Sequence, residues 1–170
     1  GFTSSAWRGT SAPRMPVRGI YFASHFHNYY QVAPIEEITQ YIEDLSLWGV
    51  NSFMVWFGME EFTGMGDPQA QAMIERLRVL LKAGKDLGLT ASLVSVCNEG
   101  YANSPAELRA EDGTVNRPGW HTKNGPRIYN LGPELCPSKP GVLDMELGYC
   151  KEKFDAFQSL GLDYWGIWPY

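Results

Sequence analysis

No apolar run in this sequence reaches the roughly 20 residues that a membrane-spanning helix needs. No long basic run occurs either, and the net charge is −5. These two features argue against nucleic acid and anionic membrane as main partners. No signal-peptide pattern opens the chain. Cysteine is sparse and odd in number (Cys97, Cys136 and Cys150), and no CxxC occurs. Cys97 falls at a predicted strand end and Cys150 in a predicted helix, so reduced thiols are expected rather than a disulfide framework. Histidine is equally scarce: His25, His27 and His121 are all there is. No glycine-rich phosphate loop follows the first predicted strand.

Aromatic residues are what the chain has in excess. They make up 14 % of it, with six Trp and nine Tyr. Some can fill a core. So many beside strand ends also point to a surface for flat, partly apolar ligands such as sugars. The 170 residues amount to one domain by length.

The first strand organises the rest. Ile20 to Ala23 is a short apolar and aromatic run, the composition of a buried strand. It ends abruptly in Ser24, His25, His27, Asn28, Tyr29 and Tyr30, and a helix start follows at Pro34. Strand, polar tip and helix form the unit of a parallel α/β sheet, whose strand ends carry the chemistry.

Residues 1–16 lack periodicity and read as an irregular arm, with Phe2 and Trp7 tucked onto the body. The domain proper is 17–170. Strands are predicted at about 17–24, 52–57, 90–96 and 163–168. A first helix over 34–48 has the stripe Ile35, Ile38, Ile42, Leu45, Trp48. A second begins at Asp67-Pro68, an N-cap followed by proline, with the stripe Met73, Leu77, Leu80, Leu81, Leu87. A third begins near Ser138, with Val142, Leu143, Leu147, Cys150, Phe154, Phe157 and Leu160 as its apolar face. Between strand three and that helix lies a long segment, 100–137. Ser104-Pro-Ala-Glu107 in it is a capping box that predicts a short helix. Trp120, His121 and Tyr129 predict that the remainder is an ordered loop over the strand ends.

A quiet repeat runs through the chain. Leu47-Trp-Gly-Val50, Asp86-Leu-Gly-Leu89 and Ser159-Leu-Gly-Leu162 each end a helix with glycine and enter a strand with an aliphatic residue. The resulting fold class is α/β: four parallel strands and their crossovers, the first half of a (β/α)8 TIM barrel. A flavodoxin-like open sheet is the rival.

Arg18-Gly-Ile-Tyr-Phe with His25-Phe-His-Asn-Tyr-Tyr30, and Tyr41-Ile-Glu-Asp-Leu with Trp48-Gly-Val-Asn51, resemble the opening of glycoside-hydrolase-like barrels of the α-glucuronidase and β-N-acetylhexosaminidase group. Leu135-Cys-Pro-Ser-Lys-Pro140 and Asp163-Tyr-Trp-Gly-Ile-Trp-Pro-Tyr170 are similar to later segments of such barrels. The resemblance implies a carbohydrate ligand, hydrolysis of glycosidic bonds by two carboxylates in a complete barrel, and no cofactor. It also implies a catalytic acid at or beyond the strand-four tip, where this sequence stops. The chain alone is therefore expected to be inactive.

At the strand tips, His25, His27 and Asn28 are candidates to bond sugar hydroxyls, with Tyr30 as a stacking face; they could equally cap the strand end. Trp56 is a sugar platform or a core aromatic. Glu60 and Glu61 lie just past strand two, where one could face a cleft. Asn98 and Glu99 follow strand three, and Glu99 is the best-placed carboxylate, a candidate for binding and a weaker one for catalysis. Trp168 and Tyr170 read as pocket walls. His25-Phe-His27 also fits a metal-dependent amidohydrolase, but two histidines alone make a weak signal and no metal is expected. A non-catalytic carbohydrate-binding or structural fragment is the further alternative. A half-barrel leaves the edges of strands one and four bare and the inner sheet face uncovered, which predicts a homodimer through the sheet edges.

Overall fold

The computed structural model describes Ala6, Arg8, Gly9 and residues 11–25, 27–110 and 134–168. Phe2, Trp7, Trp120, His121, Tyr129 and Tyr170, each given a place above, lie outside the described residues. The elements in chain order are β1 (Gly19–Phe22), α1 (Tyr29–Val32), α2 (Ile35–Leu47), β2 (Ser52–Trp56), α3 (Pro68–Asp86), β3 (Thr90–Val96), α4 (Val142–Phe157) and β4 (Tyr164–Trp168). Short 3-10 turns follow β2 (Met59–Glu61), β3 (Ala106–Leu108) and α4 (Gln158–Leu160).

The four strands are parallel and lie in the order β1-β2-β3-β4. Sequential order with helical crossovers is the half-barrel arrangement. A flavodoxin-like sheet would have placed β1 between β2 and β3. The three repeated glycines do what the repeat predicts: Gly49, Gly88 and Gly161 take φ values of +90°, +79° and +64°. A side chain there would be strained, so glycine turns the chain from each helix into the next strand.

Side chains alternate between two faces. Ile20, Phe22, Phe53, Val55, Phe57, Ala91 and Leu93 meet Ile38, Ile42, Leu45, Ile74, Leu77, Leu80 and Leu81 of the helices. Each such side chain, fully buried, contributes about 1.5–3 kcal/mol. Helix α3 comes closest: its Gly84 sits directly on the Phe53 ring. On the opposite face, Trp56 and Val96 form a second cluster with Tyr21 and Trp168.

Several expectations are corrected. Trp48 and Leu87 do not complete the stripes of α2 and α3; each is the residue after its helix and points outward, Trp48 at 88 % exposure. The capping box at Ser104 does not form. Pro105 precedes a single 3-10 turn with no side-chain cap, and the buried Ser104 Oγ has no partner among the described residues. Helix α4 buries Val142, Glu146, Lys153 and Phe157, while Leu143, Leu147 and Phe154 face outward. The inner sheet face is not bare either. Val94 and Val96 are buried within the single chain, and Val96 packs with Trp56, Tyr21 and Trp168. Exposed apolar side chains lie on α4 and β4 (Leu143, Leu147, Phe154, Tyr164, Ile167) and also around α1 and the end of α2 (Tyr29, Val32, Leu47, Trp48).

Candidate functional site

The carboxyl ends of the four strands converge on one polar and aromatic network. At the first tip, Ser24 continues the sheet by its side chain after β1 has ended. Its Oγ donates to the Trp56 carbonyl (2.7 Å) and accepts from the Trp56 amide (3.0 Å). This clamp holds the next residue, His25, over β2. The His25 ring lies 4.3 Å from Trp56, and its Nε2 shares a 2.5 Å hydrogen bond with the Tyr21 hydroxyl. Burial lowers the His25 pKa to about 4, because the charged imidazolium would lose its hydration. His25 is thus a neutral hydrogen-bonding group at pH 7.

Phe26 between the two histidines is outside the described residues, but the histidines themselves diverge. His27 is exposed, in a left-handed conformation (φ +55°), with its amide donating to Gln31 Oε1. Asn28 is exposed beside it. Tyr30 is half-buried, stacked on Phe22 at 4.4 Å and 8°. It serves the helix-side core more than a ligand surface.

The second and third tips meet through Glu99. Its Oε1 accepts from the Met59 amide (2.6 Å) and from Trp56 Nε1 (3.3 Å). Its Oε2 lies 3.5 Å from Lys153 Nζ on α4, and the two side chains are 1 % and 2 % exposed. Asn98 is buried next to it and bonds the Leu135 carbonyl through Nδ2. Trp56 is 2 % exposed, a core aromatic in this arrangement. Trp168 stays half-buried and meets Tyr21 and Trp56 edge-on, at 5.1 and 5.8 Å.

Glu60 completes the network, together with Ser24 of the first tip and with Lys153 and Tyr21, which the sequence did not single out as site residues. The carboxyl of Glu60 folds back over its own chain, so that a Cβ on Gly58 would lie 3.0 Å from it. Burial, and then the charge of Glu99, push its pKa well above the ordinary carboxylate range. Neither Glu60 oxygen meets a partner at hydrogen-bond geometry among the described residues. Once protonated, Glu60 can donate to Glu99, which satisfies the group. A neutral Glu60 beside a Glu99–Lys153 ion pair leaves the buried cluster without net charge.

This arrangement has a pH signature. Glu60 has a raised folded-state pKa, so the folded chain binds the extra proton. Its unfavourable contribution is absent below the unfolded pKa and grows as pH rises above it. Glu60→Gln, which keeps the shape and removes the titration, is expected to stabilise the fold at pH 8 by about 1–3 kcal/mol. At pH 4 it should leave stability unchanged. Urea unfolding at the two pH values measures this; equal effects at both would contradict it.

Two clefts lie to one side of the network. One, of about 330 Å3, is lined by Thr63, Tyr101, Ser104, Tyr149 and Glu152. The other, of about 320 Å3, lies between α3 and α4 beside Ile74, Arg78 and Asp155. In the first, Tyr101 donates to Glu152 (3.3 Å), and burial keeps its phenol protonated.

Among known proteins, no family model matches this chain, and no curated protein matches it. It is similar to the crystal structure of GH5_18 from Streptomyces cattleya in complex with GlcNAc, at 14 % identity and a TM-score of 0.42. A Glu-to-Ala form of the same protein in complex with Manb1-4GlcNAc gives the same values. In both cases 90 % of this chain is covered, and the chain spans 44 % of the solved structure. Four parallel strands in sequential order, joined by crossovers, are by themselves the arrangement of half a (β/α)8 barrel.

Proposed function

We propose that this chain is the first half of a glycoside-hydrolase-like barrel and that its strand tips bind carbohydrate. The observation that carries the reading is the tip itself. An aromatic wall ending in the half-exposed Trp168 stands beside a neutral histidine, and the exposed His27 and Asn28 lie on the same rim. Aromatic faces stack on the apolar faces of sugars, while a few polar groups fix the hydroxyls.

Glu99 serves this site as a positioning residue. Both its oxygens are taken, by Trp56 Nε1, the Met59 amide and Lys153, so it holds the tips of β2 and β3 together. Glycoside hydrolysis needs two carboxyl groups flanking the scissile bond. Glu60 and Glu99 are both sealed from solvent and leave no room for a substrate between them. The chain by itself binds without turnover. It also associates with a second copy; among the described residues no further strand pairs with β1 or β4.

GlcNAc and Manb1-4GlcNAc, the ligands of the structures it is similar to, are the first probes. Saturable binding by calorimetry is expected, weakened about 3- to 10-fold in Trp168→Ala, the range of one lost aromatic contact. Aryl glycosides should remain intact. Absence of binding to any mono- or disaccharide would overturn the reading. Turnover that disappears in Glu99→Gln would return Glu99 to catalysis.

A further inference from the structure

Helix α4 buries Val142 and Phe157 but also two charged groups, and it leaves large apolar side chains outside. Glu146 and Lys153 sit on its buried side, while Leu143, Leu147 and Phe154 are 58 %, 60 % and 47 % exposed, with the half-buried Cys150 between them. The spacings along Leu143, Leu147, Cys150 and Phe154 are four, three and four residues, the rhythm of a coiled-coil seam. The seam runs onto the sheet edge. Phe154 stacks on Trp165 at 6.3 Å and 6°, and the next outward residue of β4, Ile167, is exposed as well.

The charges beside the seam say which partner fits. Asp144 follows Leu143, and Lys151 follows Cys150, so both occupy the same flank of the seam, and both are exposed. When two such helices pack antiparallel about a two-fold axis, equivalent flanks face each other. Asp144 of each copy then meets Lys151 of the other, twice. A parallel pair would instead set this flank against the opposite one, where Glu146 and Lys153 are already buried in their own chain.

We propose that α4 is the self-association surface of this protein and that its partner is a second copy packed antiparallel, Leu143 opposite Phe154 and Leu147 opposite Cys150. The inference rests on the self-association in the reading above and is independent of sugar binding. It replaces pairing between the edges of β4 and β1 with a helix–helix contact. Lys151, which already pairs with Asp155 in its own helix, bridges both carboxylates. A seam of two heptads falls below the ~1,200 Å2 of a standard interface, so association belongs in the micromolar range.

Sedimentation from low to high micromolar concentration tests this. The unaltered chain is expected to pass from monomer to dimer. Leu147→Lys should weaken the dimer at least about tenfold, the loss of one central anchor, with the circular dichroism of the monomer intact. Asp144→Lys and Lys151→Asp should each weaken self-association alone. Mixed in equal amounts they should associate again, since every Lys then faces an Asp. Three outcomes would overturn the proposal: a monomer at all concentrations, a dimer indifferent to Leu147→Lys but lost in Tyr164→Pro, or a mixture no tighter than its two components. Sugar binding should be the same in all these variants, which separates failure of this inference from failure of the carbohydrate reading.

Discussion

Lys153→Met is expected to cost about 3–5 kcal/mol, the usual penalty for removing one partner of a buried ion pair. Methionine keeps most of the stem, so packing changes little. What is lost is the ammonium 3.5 Å from Glu99, in a place that water does not reach. Glu99 would retain its bonds from Trp56 Nε1 and the Met59 amide but no counter-charge among the described residues. Glu60, whose pKa is already raised by burial and by that same carboxylate, cannot help except by staying protonated. Adding Glu99→Gln to Lys153→Met removes the orphaned charge and should recover most of the loss, because exchanging both members of a buried pair for neutral groups is often close to neutral. Chemical denaturation of the two single variants and the double variant measures the coupling. A single-variant loss below about 1 kcal/mol would mean that the pair is solvated, like a surface salt bridge.

Gly84→Ala should also destabilise, by about 1–3 kcal/mol, although alanine is a better helix former by nearly 1 kcal/mol. A Cβ at position 84 would stand 2.1 Å from Phe53 Cε1, with two more ring atoms within 3 Å. Phe53 is fully buried, so its ring has nowhere to turn, and α3 must lift off the sheet. Phe53→Leu in the same chain opens the space and should restore part of the stability. Gly148→Ala on α4 is the matched control: its Cβ would meet nothing within 4 Å, so only the gain in helix propensity should remain. If the two alanine substitutions change the melting temperature alike, the close approach of α3 to β2 is wrong.

The elements were legible where local chemistry decided them. Asp67-Pro68 starts α3, and the Asp67 side chain accepts from the Gln69 amide as an N-cap should. β3 runs over the predicted residues, and β2 and β4 each lack one of theirs. The half-barrel followed from the glycine repeat. Legibility failed where a contact far along the chain decided the outcome. Trp48 has the spacing of a stripe residue but falls one position past the last turn of α2, where no neighbour covers it. Lys153 and Glu146 look like the solvent side of α4. Both are buried, Lys153 because Glu99, 54 residues earlier, supplies its charge partner there.

The candidate site divides along the same line. That polar groups stand at strand ends could be read directly from His25, Asn98 and Glu99. Which of them face a ligand could not. Whether Trp56 is platform or core depends on His25 and Trp168 closing over it. Whether Glu99 is reactive depends on three donors from β2, the turn after it and α4. The amino-acid order alone determined the alternation of strands and helices and the glycine turns, because these rest on neighbours within a few residues. The tertiary structure decided which groups are buried and which are paired, because burial and pairing depend on what other elements bring within a few ångströms.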